Sequence, residues 1–117
     1  MRIEIRGRNV EVDDELRKQV RERFRRVGRQ VSPLATLEVE LAEERNPANS
    51  NSQVAEATLR LKGVTLRARE ASPEMTHAIH EVVEDIRRQV KKHRDLRRKR
   101  RATRRLIGRA RGRTAES

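Results

Sequence analysis

Between Ser72 and Arg101 the chain carries one long helical pattern whose charge changes sign halfway, and this run limits what the remainder can fold into. Met75, Ile79, Val82, Val83, Ile86 and Val90 recur at three-and-four spacing, with Ala78 beside them, the apolar stripe of an amphipathic helix. Ser72 is a candidate N-cap, and Pro73 suits the first helical position, where a missing N–H costs nothing. Glu74, Glu81, Glu84 and Asp85 crowd the first half, whereas Arg87, Arg88, Lys91, Lys92, Arg94, Arg97 and Arg98 crowd the second. That order complements the helix dipole. Past Val90 the stripe thins to His93 and Leu96, so the pattern predicts a helix that outruns its own core as a basic rod. The excess needs a partner.

The upstream sequence supplies a sheet for this helix to cover. Ile3 and Ile5 alternate with Arg2, Glu4 and Arg6 as a half-buried strand, and Gly7 to Val12 reads as a connection. Asp13 caps a first helix whose stripe is Val12, Leu16, Val20, Phe24, Val27 and Val31, with its end expected near Gly28. After Pro33, Leu37, Val39 and Leu41 alternate with Glu38 and Glu40 as a second strand, and Arg45 to Ser52 is a polar loop. Ala55, Ala57, Leu59 and Leu61 share one face of a third strand, Lys62 and Gly63 form a tight turn, and Val64, Leu66 and Ala68 lie on a fourth. Each strand has a single apolar face. The expected fold is therefore α+β, a two-layer β-α-β-β-β-α sandwich with a four-stranded, antiparallel-rich sheet and two helices on one face.

Charge divides the chain. Residues 1–95 hold 20 basic and 17 acidic side chains, giving +3, and residues 96–117 hold 10 basic and 1 acidic, giving +9. Residues 1–96 are read as one domain and residues 97–117 as a basic tail, which lacks a sustained stripe and is expected to be disordered when free. Such tails contact nucleic acid, where neutralised phosphates release counterions; a merely solvated tail is the plainer alternative. An anionic membrane is a poorer match, because Leu106 and Ile107 are the tail's only bulky apolar residues. The chain has no cysteine, which excludes disulfides and thiolate metal sites, and no apolar run long enough to span a membrane. A soluble, cytoplasmic protein is expected.

Catalysis has little support: the five glycines are scattered, there is no nucleophilic cysteine, and no serine sits in an elbow motif. A helical projection places His77, His80, Glu81 and Glu84 on one outward face, where zinc could bind, but a polar solvent face is the simpler reading. His93, on the apolar stripe, reads as a packed histidine at the edge of the core. No cofactor and no small-molecule substrate are expected. The basic constellation carries more. Lys18, Arg21 and Arg25 on the first helix would join Arg87, Arg88, Lys91, Lys92 and Arg94 on the second if the helices lie side by side, with Arg97 and Arg98 extending the surface. Arginine's planar fork grips phosphate at two points. With Phe24 the only aromatic, base stacking is scarcely available, so the surface suits the shape and backbone of structured RNA, with DNA left open.

Three segments resemble the hibernation promoting factor family, also called ribosome-associated translation inhibitors: IEIRGRNVEVDDELRKQVRERFRRV, ATLRLKGVTLRARE and SPEMTHAIHEVVEDIRRQVKKHRDL. The family's Q-x-x-K-H-[KR]-D run stands here as Gln89, Lys92, His93, Arg94 and Asp95. The resemblance implies a fold similar to double-stranded RNA-binding domains and a non-enzymatic protein. It further implies binding to the small ribosomal subunit and its rRNA in the mRNA/tRNA decoding region, which blocks translation and stabilises idle ribosomes. Matching positions carry over Arg23 and Arg26, then Arg88, Lys92 and Arg94, as rRNA-binding residues. Thr76 and His80 stand where the family commonly has an aromatic and an acid. Long members add a dimerising domain beyond a linker; it is not found before Ser117, so a monomer is expected. A general structured-RNA binder or ribosome assembly protein, and a modulator of RNA polymerase, remain the alternatives.

Overall fold

The computed structural model describes the backbone of residues 1–45 and 50–116, with side chains through residue 107. Its elements are β1 (Arg2–Arg8), α1 (Asp14–Arg23), α2 (Arg25–Gln30), β2 (Thr36–Glu43), β3 (Gln53–Leu61), β4 (Val64–Ser72) and α3 (Met75–Glu116). The four strands form one sheet in the order β1-β2-β3-β4, with β1 parallel to β2 and the other pairs antiparallel. The expected α+β two-layer architecture is the one observed.

Register explains why a single face is buried. Ile3 and Ile5 pair with Leu37 and Val39, which pair with Leu59 and Ala57, which pair in turn with Leu66 and Ala68. Partners in a ladder point to the same side, so these apolar residues form one continuous floor. Val20, Phe24 and Val27 from the first helical segment and Ala78, Ile79, Val82, Val83, Ile86 and Val90 from α3 close over it. Phe24 has no exposed surface.

Several boundaries differ from the sequence reading. Gly7 and Arg8 belong to β1 rather than to a connection. A β-carbon on Gly7 would collide with the carbonyl oxygen of Val10, because the chain folds back over the strand there, with Asn9 at φ 59°. The first helix breaks at Phe24, whose ψ of −1° departs from the helical value as its ring enters the core, and it ends at Gln30 rather than near Gly28. Asp13 caps it as expected, accepting a 2.8 Å bond from the Leu16 N–H. Ser72 closes β4, so α3 begins at Met75, two residues after Pro73; the Ser72 hydroxyl accepts from the Glu74 N–H at 3.3 Å. The Lys62-Gly63 turn is present, with Gly63 at φ 79°. The polar loop falls partly outside the described residues. At its other end α3 continues as helix through Glu116, past the compositional boundary at residue 96. From Leu96 to Ile107 its side chains are exposed, so helicity there draws on local propensity rather than on packing.

Candidate nucleic-acid interface

The two layers treat charge differently. On the open face of the sheet arginines sit beside glutamates: Arg6 pairs with Glu40 at 3.0 Å, Arg8 with Glu40 at 3.0 Å and Glu44 at 2.8 Å, Arg69 with Glu44 at 2.8 Å, Arg2 with Glu4 at 3.4 Å, and Arg60 with Glu38. The hydrogen bonds from Arg8 and then Arg69 hold the Glu44 carboxyl below its ordinary range, and bonds to Glu44 and then Glu40 raise the Arg8 guanidinium. Such solvent-exposed pairs contribute little to stability, because water screens them. Their larger effect is to cancel the positive charge of this face.

The helix layer is not cancelled. Arg87 bonds Glu84 at 2.8 Å, but among the described residues Lys18, Arg21, Arg25, Arg26, Arg88, Lys91, Lys92, Arg94, Arg97 and Arg98 make no ion pair. Lys18, Arg21 and Arg23 lie on α1 and Arg25 and Arg26 on α2, all exposed. The helices run parallel. Thr76 donates to Gln19 at 3.3 Å and Arg23 reaches His80 at 3.4 Å, both across 57 residues.

That register staggers the cations. The first-helix cations lie beside the acid-rich half of α3, and the α3 cations begin where α2 ends. A cleft of about 340 Å³ there gathers Arg87, Arg88, Lys91, Arg94 and Arg98 around Gln30, with Glu84 and Asp95 at its sides. Lys92 lies on the adjoining flank with Arg88, Lys91 and Lys99, and Arg97 joins Arg100, Arg101 and Arg104 further along. The surface is thus a band along the long axis rather than two facing stripes.

The histidines of α3 divide by neighbour. His77 bonds the Ser72 hydroxyl through Nδ1 at 2.9 Å and approaches Glu81 through Nε2 at 3.3 Å, while His80 turns to Arg23. Among the described residues no group of three or more His, Asp or Glu could hold a metal ion, and no helix is long and apolar enough to cross a membrane. Within the Gln89–Asp95 motif the roles also separate. Gln89 donates to the Arg67 carbonyl at 2.7 Å and to Asp85 at 3.0 Å, Lys92 is exposed, Arg94 lines the cleft, and His93 is half-buried in a neighbouring groove that Arg94 also lines. Sequence reasoning missed Gln30, Leu34 and Lys62, which follow no periodicity and meet α3 only through the fold. An apolar residue directly after Pro33, outside every stripe, was the one local signal.

Comparisons with known proteins match the chain to one family and one fold. Residues 3–98 match the family described as Sigma 54 modulation protein / S30EA ribosomal protein. A ribosome hibernation promoting factor of Acinetobacter guillouiae is 28% identical over 101 residues, spanning 82% of this chain and 89% of the relative. The N-terminal domain of Thermus thermophilus Protein Y superposes with a TM-score of 0.69 at 26% identity, over 80% of this chain and 99% of that domain. A ribosomal subunit interface protein from Coxiella burnetii shares the fold, with a TM-score of 0.67 at 18% identity, over 81% of this chain and 99% of that one.

Proposed function

The chain belongs to the Sigma 54 modulation protein / S30EA ribosomal protein family, and we propose that it is a non-enzymatic ribosome hibernation factor of the cytoplasm. It binds rRNA of the small subunit in the decoding region, where it excludes mRNA and tRNA and keeps idle ribosomes intact. The observation that carries this reading is the division of charge between layers: five of the sheet's six arginines, all but Arg67, pair with glutamates, and the helix band is left with cations that lack carboxylate partners.

Phosphates would supply those partners. Each contact releases condensed counterions, and the arginine forks fix orientation on the backbone. The rRNA-binding set is Lys18, Arg21, Arg23, Arg25, Arg26, Arg87, Arg88, Lys91, Lys92, Arg94, Arg97 and Arg98. Arg88, Lys91, Arg94 and Arg98 share one cleft, and the first-helix residues extend the band. Residues 97–116, the end of α3, act as a basic arm that adds affinity without choosing the location. The protein works as a monomer; each edge strand already has a carbonyl engaged by a helix side chain, Ile5 by Arg17 and Arg67 by Gln89.

A second reading, a general binder of structured RNA, is favoured by the burial of Phe24, which leaves no Phe, Tyr or Trp on the surface to stack on bases. Co-sedimentation with purified small subunits at moderate salt separates the two. Binding suppressed by mRNA with initiator tRNA is expected for the decoding-region reading. Binding that ignores both and is competed away by any duplex RNA would replace it with the general one.

A further inference from the structure

Where the α2–β2 connection, the β3–β4 turn and α3 meet, there is a groove of about 600 Å³, within the size range of sites that hold small organic groups. Its inner part is apolar, with Val90 and Ala35 buried and Val31 and Leu61 half-buried, and Gln30, Ser32, Thr36 and basic side chains complete the lining. Leu34 stands at its lip, 92% exposed. His93 lines it from α3, half-buried, and among the described residues its ring has no hydrogen-bond partner.

The charge around this groove is positive. Arg60 is already held by Glu38, but Lys62, Arg94 and Arg97 have no carboxylate partner among the described residues. Gln30 and Arg94 also line the basic cleft described above, so the groove and the cleft adjoin. A polynucleotide whose phosphates lie on the cleft would therefore pass the mouth of an apolar slot.

We propose that this groove holds one unpaired nucleotide of the bound RNA, its base between Leu34 and His93 and its flanking phosphates on Lys62, Arg94 and Arg97. The proposal rests on the rRNA-binding reading of the helix band. A base has two apolar faces and a polar edge. The aliphatic residues remove the faces from water, the imidazole, which no hydrogen bond holds among the described residues, stacks on one of them, and the polar edge meets Ser32 and Thr36 of the lining. A nucleotide that is already unpaired enters without the cost of opening a duplex. A polypeptide segment would also fit such a groove, but it would not use the basic cleft that adjoins it.

The test is chemical probing of rRNA in purified small subunits with the full-length protein, using dimethyl sulfate and a carbodiimide to cover all four bases. The expected result is one unpaired nucleotide whose base is shielded by the wild-type protein and reactive again with Leu34→Ser or His93→Ala. The rest of the footprint should persist, and affinity should fall about tenfold in each variant, the scale of one stacked base. Leu34→Ser alters a side chain that is almost fully exposed, so the fold is not at stake. A footprint identical in wild type and variants overturns the groove and leaves the helix band standing. Absence of any footprint with the wild-type protein overturns both. Photo-crosslinking from a Leu34→photo-leucine variant to a ribosomal protein, in place of rRNA, overturns the nucleotide in favour of a polypeptide.

Discussion

The side-chain amide of Gln89 donates one N–H to the carbonyl oxygen of Arg67 at 2.7 Å and the other to the Asp85 carboxylate at 3.0 Å. The first residue of the family's motif therefore ties α3 to edge strand β4 and spends both of its donors inside the protein. Gln89→Ala is expected to lower stability by about 1 kcal/mol, the net contribution of such a bond, and to change small-subunit affinity less than about twofold. Chemical denaturation beside a binding titration checks it. A large loss of affinity at unchanged stability would place Gln89 at the RNA instead.

Phe24 fills the centre of the core at the break between α1 and α2, with no exposed surface. Phe24→Ala is expected to cost about 3–5 kcal/mol, a large share of the roughly 5–15 kcal/mol that holds a small domain together. Phe24→Leu, which keeps much of the volume, should cost less than about 1.5 kcal/mol. Thermal unfolding followed by circular dichroism measures both.

Glu44 joins β1 and β4 across the open face by accepting from Arg8 and Arg69. Its carboxyl is held below the ordinary 4.5, chiefly by the Arg8 bond and then by the Arg69 bond. A folded-state value below the unfolded one stabilises the fold above the unfolded pKa, and that contribution is lost as pH falls through the folded pKa. Glu44→Gln should therefore be less stable than wild type at neutral pH, with the gap closing below about pH 4.5. Denaturation midpoints of both proteins between pH 3 and pH 7 test the sign (roughly the carboxylate titration range). A gap that widens on acidification would refute it.

Charge reversal distinguishes the layers. Arg88→Glu with Lys92→Glu is expected to weaken small-subunit binding more than about tenfold and to flatten the salt dependence, which runs at about −0.7 to −0.9 per phosphate contact. Arg2→Glu with Arg67→Glu, the same charge change on the sheet face, should weaken it less than about threefold. Equal losses would mean that overall charge, and not the helix band, is what the RNA meets.

Much of the fold was legible because its signals are local. Alternation at Ile3 and Ile5, at Leu37 to Leu41 and at Ala55 to Leu61 announced strands, and the stripe from Met75 to Val90 announced the covering helix. The motif from Gln89 to Asp95 pointed to the family for the same reason, since it is a string of neighbours. Helix ends were less legible. Gly28 resembles a stop signal, but it continues as helix beside Met1, whose side chain lies 3.4 Å from where its β-carbon would be.

By itself, then, the sequence determined which residues are strand, helix and core, and that the chain carries more cations than its acids can balance. Periodicity and charge are properties of residues close together along the chain, so they survive without coordinates. Tertiary structure alone decided which cations stay uncompensated. The glutamates of β2 and its end meet arginines of β1, β3 and β4 only through strand pairing, and the register of the two parallel helices staggers their charges along one axis. The groove beside His93 has the same origin. Val31, Leu61 and Val90 come from three segments far apart in sequence, and only close packing around a shared core brings them to one surface.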